Sequence, residues 1–154
     1  MSGNAPEIDL PQLPKVRVAI ISSSWHLDIC NDLVAGAQRA LAAAAVKNVE
    51  VIYVPGSFEI PLASQIAFEK GFDAVVAVGL VLEGETPHFD YVCQGVTQGV
   101  MDVSLKFSAP IGFGVLMCNT LDQAVARSGR PGSSEDKGYD SAVAAIKLLQ
   151  LKEG

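Results

Sequence analysis

The eleven residues Phe72–Leu82, F-D-A-V-V-A-V-G-L-V-L, constrain this chain more than any other stretch. The run is continuously apolar rather than alternating, and it is rich in valine. That is the pattern of a strand buried on both faces, which needs helices above and below it and parallel strands beside it. It ends at Glu83-Gly84, and a turn through Gly84-Glu85-Thr86-Pro87-His88 follows. From Phe89 the apolar residues take helical spacing: Val92, Val96, Val100, Val103 and Phe107. A strand that turns directly into a helix aims unpaired backbone N–H groups and a positive dipole end at one spot, which suits an anion. An imidazole beside that spot suits proton transfer, although a lone histidine at such a turn is usually an ordinary solvated loop residue.

The remaining segments extend the same pattern. Val16–Ile21 is expected to be a strand, and Ser22-Ser23-Ser24 after it are good helix caps that could also hold a phosphate or hydroxyl. Leu27–Ala45 reads as a helix with an apolar face at Ile29, Leu33, Ala37, Ala40 and Leu41. Val49–Val54 is a short strand. A helix opens at Ser57-Phe58-Glu59-Ile60-Pro61 and runs to Glu69, with proline in its first turn and Lys70-Gly71 at its end. The helix after His88 runs to about Ser108. Pro110–Cys118 is a strand in which Gly112 and Gly114 let something approach the backbone. Asn119-Thr120 caps a short helix, Leu121–Arg127, and a final helix spans about Asp136 to Lys152. The order β-α-β-α-β-α-β-α-α predicts an α/β protein: a four-stranded parallel sheet in an αβα sandwich with helices on both faces. Residues 16–154 would be one domain, and residues 1–15 an arm, loosely ordered alone or extended against a neighbour.

Ligands of such sheets sit at the carboxyl ends of the strands. Those ends are Ser22–His26, Pro55–Glu59, Leu80–His88 and Phe113–Thr120, and the unusual residues Trp25, Phe58, Glu59, His88 and Phe113 fall there. Trp25 could stack on a planar heterocycle or simply pack under a loop. Glu59 could accept from hydroxyls or merely favour the helix dipole. Asp90 could orient His88 or serve the same dipole. His26 and Cys30 have a zinc-compatible spacing, but no second pair of ligands stands nearby in sequence, so no metal site is expected. Arg127, Arg130 and Lys137 flank a polar loop; they could reach an anion, within one chain or across a subunit boundary, or be solvated. Dinucleotide, nucleoside-triphosphate and serine-hydrolase signatures are absent.

Composition narrows the classes. The chain has 154 residues with 49% hydrophobic residues and a net charge of −6, so binding nucleic acid through a basic surface is not expected. No apolar run approaches the eighteen or so residues a membrane span needs, and Met1–Pro14 lacks the features of a signal peptide. Three cysteines without a C-x-x-C motif read as reduced thiols of a cytoplasmic protein. A mean hydropathy of +0.32 hints that another subunit covers some apolar surface.

Two segments then carry a resemblance. Pro55-Gly56-Ser57-Phe58-Glu59-Ile60-Pro61 resembles the P-G-[AS]-[FW]-E-[IL]-P segment of lumazine synthases, and Gly84–Val92 resembles their G-x-T-x-H-[FY]-[DE]-Y-V segment. Arg127-Ser128-Gly129 and Asp136-Lys137-Gly138 are similar to their R-[AS]-G and N/D-K-G elements, and the similarity runs from about Val16 to Leu151. The resemblance implies a flavodoxin-like fold and the condensation of 5-amino-6-(D-ribitylamino)uracil with 3,4-dihydroxy-2-butanone 4-phosphate, without metal or redox cofactor. It implies pentamers or sixty-subunit shells with active sites between adjacent subunits. Carried over by position, Trp25 would stack on the pyrimidine, and Ser57, Phe58 and Glu59 would surround the ribityl chain. Leu80, Val81 and Leu82 would bind the pyrimidine edge through backbone, and Phe113 would cover it from the adjacent subunit. Glu85 and Thr86 would cradle the phosphate, Arg127 would pair with it with support from Lys137, and His88 would transfer protons. Glu83 stands where many members carry a basic residue. The loop Gly129–Asp136 is longer than in the shortest members, whose tight turn goes with shells, so a free pentamer is expected. A non-catalytic flavin- or lumazine-binding module would keep Trp25 and Glu59 without needing His88, Arg127 and Lys137 together.

Overall fold

The computed structural model describes residues 5–153, so the first four residues of the expected arm, and Gly154, lie outside the described residues. Four strands form one all-parallel sheet: β1 (Arg17–Ser23), β2 (Asn48–Val54), β3 (Ala74–Leu82) and β4 (Ile111–Cys118), in the order β2-β1-β3-β4. Five α-helices accompany them: α1 (Leu27–Ala43), α2 (Ile60–Glu69), α3 (His88–Phe107), α4 (Leu121–Arg127) and α5 (Lys137–Glu153). The architecture is the three-layer αβα sandwich of the flavodoxin-like class.

Strand parity explains the layers. Val18 and Ile20 of β1 and Val76, Val78 and Leu80 of β3 point to one face, into a core shared with Leu33 and Ala37 of α1 and Ala142 and Ile146 of α5. Ala19, Ile21, Val75 and Ala77 point to the other face, against Ile60 and Ala67 of α2 and Val96 and Val100 of α3. The central strands are therefore covered twice, which is why they carry no polar alternation. Each fully buried aliphatic side chain contributes about 1.5–3 kcal/mol. Gly112 of β4 serves this packing: a Cβ there would stand 2.1 Å from the carbonyl oxygen of Ser141. What approaches that backbone is the chain's own α5.

Three local expectations are corrected. Helix α1 stops at Ala43, because Ala45 adopts a left-handed φ of 57° and the N–H groups of Ala45 and Val46 turn back to the Ala42 and Leu41 carbonyls. Ser22, Ser23 and Ser24 do not cap it, the first two being part of β1. Its N-cap is His26, itself left-handed with a φ of 53°, while Ser24 Oγ donates to the Val54 carbonyl. Ser57–Glu59 is a 3₁₀ turn preceding α2 rather than its first turn. The arm's described part is exposed through Asp9. At Leu13 it docks on its own chain, the N–H donating to the Ala44 carbonyl at 2.8 Å.

The strand order makes the chain leave β1 toward one edge of the sheet and β3 toward the other. The crevice beyond the carboxyl ends of β1 and β3 is thus the topological switch point, where open α/β sheets take their ligands.

Candidate active site

A cleft of about 740 Å³ opens at that switch point, within the usual size of small-molecule sites. Trp25 and His26 enter it from the end of β1, Ser57, Phe58 and Glu59 from the turn after β2, and Leu80, Val81 and Leu82 from β3. Thr86 and His88 close the side where α3 begins.

Each side chain has a local reason for its place. Cys30 turns inward, its thiol donating to the Trp25 carbonyl at 3.2 Å and lying 3.5 Å from Ser23 Oγ; it steadies the loop that presents Trp25 and leaves His26 without a partner ligand. Trp25 remains 68% exposed and Phe58 60%, so two aromatic faces stand open to the cleft. Phe58 packs closely on α3 at Gly95, where a Cβ would sit 2.7 Å from the ring. Glu59 folds back, one carboxylate oxygen accepting from Gly56 N–H at 2.9 Å, so local capping engages one of its two oxygens and leaves the other for a ligand. Ser57 Oγ is buried without a hydrogen-bond partner among the described residues.

His88 is the first residue of α3, after Pro87 at the N-cap position. The first bonds back are from Asp90 and Tyr91 N–H to the Pro87 carbonyl, so the amides preceding them are those a helix leaves free. Asp90 makes no side-chain hydrogen bond to His88 among the described residues, which leaves it the dipole role. Glu85 is exposed and lies outside the cleft lining. Glu83 accepts a hydrogen bond from the side-chain amide of Asn119.

The other expected residues are not brought to this cleft within one chain. Phe113 is 41% exposed on edge strand β4. Arg127 Nη1 donates to the Gln123 carbonyl at 2.9 Å, and its Nε lies 3.7 Å from Glu135. Lys137 Nζ sits 3.0 Å from Glu135 and 3.5 Å from Asp140. Burial raises the Asp140 carboxyl above its usual range, against the opposing pull of Lys137. Arg130 locks the loop to α1 through Asp32 at 2.7 Å, and Arg39 pairs with Asp136 at 2.8 Å.

Sequence reasoning missed His26, Phe89 and Tyr91 as lining residues, and Glu135 as the partner of both cations. Helical spacing from His88 would have placed Tyr91 on the same side, three residues on. Among the described residues no group of three or more His, Cys, Asp or Glu is placed to hold a metal ion, and no helix is long and apolar enough to cross a membrane.

Comparison with known proteins identifies the family. The family model described as 6,7-dimethyl-8-ribityllumazine synthase matches residues 15–153. Relatives bearing that name include one from Streptomyces coelicolor, 49% identical over 95% of this chain and 91% of its own. One from Nocardioides sp. is 46% identical over 99% and 96%. One from Mycobacterium sp. is 46% identical over 100% and 97%.

Proposed function

The chain belongs to the 6,7-dimethyl-8-ribityllumazine synthase family, and from that premise we propose that its switch-point cleft is where the family's condensation takes place. The enzyme is a transferase of riboflavin biosynthesis: it joins 5-amino-6-(D-ribitylamino)uracil to 3,4-dihydroxy-2-butanone 4-phosphate and releases phosphate and water. The observation that carries the assignment is the joint lining of one cleft by Trp25, Phe58, Glu59, the Leu80–Leu82 backbone and His88.

In this reading Trp25 stacks on the pyrimidine, and Leu80, Val81 and Leu82 meet its edge with backbone groups. Ser57, Phe58 and Glu59 surround the ribityl chain; the orphaned Ser57 hydroxyl and the uncommitted Glu59 oxygen support that role. Glu85 contributes backbone only, beside Thr86, to a phosphate cradle at the start of α3. His88 moves protons as the amine attacks the ketone, water and phosphate depart and the second ring closes. Orientation of two substrates supplies much of the acceleration, roughly 7–11 kcal/mol in favourable cases.

Phe113, Arg127 and Lys137 act in the cleft of the adjacent subunit. That none of them lines its own chain's cleft, and that the apolar residues Leu62, Met101 and Leu105 on α2 and α3 are exposed, support a homo-oligomer. The long loop before α5, pinned by Arg130, favours a pentamer over a sixty-subunit shell, which sedimentation distinguishes directly. The three unpaired cysteines accord with a cytoplasmic enzyme. No cofactor or metal takes part in the proposal. Mixing the two substrates with the protein tests it: lumazine absorbance must rise in step with phosphate. Ligand binding without turnover would leave only a binding module.

A further inference from the structure

Arg127, Lys137, Glu135 and Asp140 form one cluster whose contacts lie between 3.0 and 3.7 Å. It holds two cations and two carboxylates and is formally neutral, so a phosphate arriving there meets no net positive field. To be held, it must draw the cations away from the acids that already face them. The geometry favours that exchange at Arg127. Its Nε stands 3.7 Å from Glu135 Oε2, beyond hydrogen-bond range, and among the described residues its one hydrogen bond goes to the Gln123 carbonyl. A guanidinium has five N–H donors, so most remain for an anion.

Glu135 cannot follow. Its side chain is only 10% exposed. Its backbone N–H donates to the Ala126 carbonyl at 3.0 Å, and its own carbonyl accepts from Gly129 N–H and Ser133 Oγ. Its Oε1 is buried without a well-directed hydrogen bond and faces Lys137 Nζ as a bare charge contact at 3.0 Å. We infer that Glu135 is a positioning residue that competes with phosphate for Arg127 and Lys137, keeping both cations aligned while leaving bound phosphate weak enough to depart. The inference rests on the phosphate role proposed for Arg127.

Inhibition by inorganic phosphate, measured against varied 3,4-dihydroxy-2-butanone 4-phosphate in the assembled enzyme, tests it. Glu135→Gln is expected to tighten phosphate by about three- to tenfold, the range one partly buried charge is worth. KM for the phosphate substrate should fall in step, with KM for the uracil unchanged. Glu135→Asp, which keeps the charge but withdraws it by one methylene, should fall between Glu135→Gln and the parent protein. If either variant binds phosphate no tighter than the parent, Glu135 serves only to hold the loop and the inference is overturned alone. If Arg127→Ala leaves phosphate inhibition unchanged, the assignment of Arg127 falls and takes the inference with it.

Discussion

Replacing Gly95 by alanine separates what α3 does for stability from what it does for the cleft. The new methyl would stand 2.7 Å from Phe58 Cε1 and 3.3 Å from Cδ1, where ordinary contact begins at 3.4 Å, so the ring must retreat by about 0.7 Å. It has room, being 60% exposed. Turning the ring off its rotamer costs about 0.5–1.5 kcal/mol, while exchanging glycine for alanine inside a helix returns about 0.8–1 kcal/mol. The two nearly cancel, so the melting temperature should move by no more than about 4 °C. The cleft has no such compensation. A misplacement of about 1 Å can cost a hundredfold in rate, so kcat/KM for the ribitylaminouracil should fall about tenfold. KM for the phosphate substrate should barely change, because the proposed role of Phe58 is beside the ribityl chain and not the phosphate. Steady-state kinetics with each substrate varied in turn, together with a thermal melt, decide the matter. Unchanged uracil kinetics at a normal melting temperature would remove Phe58 from the substrate. A collapse in stability would show that the ring cannot yield and that the packing estimate is wrong.

Three further outcomes follow from the same geometry. His88→Ala should slow turnover about a hundredfold, the usual share of a proton-transfer residue, yet leave measurable lumazine formation; complete loss in a folded, assembled variant would contradict that. Arg127→Ala should raise KM for the phosphate substrate roughly tenfold or more, as the loss of a charge-assisted hydrogen bond predicts, with little change for the uracil; equal effects would exclude the assignment. Burial raises the thiols of Cys30, Cys93 and Cys118 above the ordinary value. Above about pH 8.5 the unfolded chain loses thiol protons that the folded chain retains, so stability must fall as pH rises through that range. Cys30→Ala should flatten the alkaline slope of the melting temperature; an unchanged slope would mean the buried thiol is not what titrates.

The sheet was legible because β3 carries its evidence in every residue: burial on both faces removes the polar alternation, and the flanking glycines mark its ends. Errors arose where one residue answers to several local interactions. Ala43, Ala44 and Ala45 offer no stop signal, and the end of α1 is set by a left-handed turn that propensity does not anticipate. Ser22, Ser23 and Ser24 have the right chemistry for a cap, but Ser22 and Ser24 spend their hydroxyls on backbone carbonyls and Ser23 sits against Cys30. Glycine spacing in β4 correctly signalled a close approach, yet a glycine cannot say whether a ligand or α5 is the visitor.

The cleft was legible for the related reason that strand ends converge: Trp25, Glu59, Leu80 and His88 are far apart in sequence and share one topological position. The charges were not. Arg127 and Lys137 stand out as cations in a chain of net charge −6, and sequence alone leaves them either free to meet an anion or solvated. Distances show neither, because Glu135 and Asp140 neutralise them within one loop and one helical turn. An anion in this protein therefore cannot be captured by long-range attraction. In the proposed reading it is held by contact, through the free amides at the start of α3 and donors that Arg127 would redirect on arrival. Binding of that kind depends on geometry more than on ionic strength.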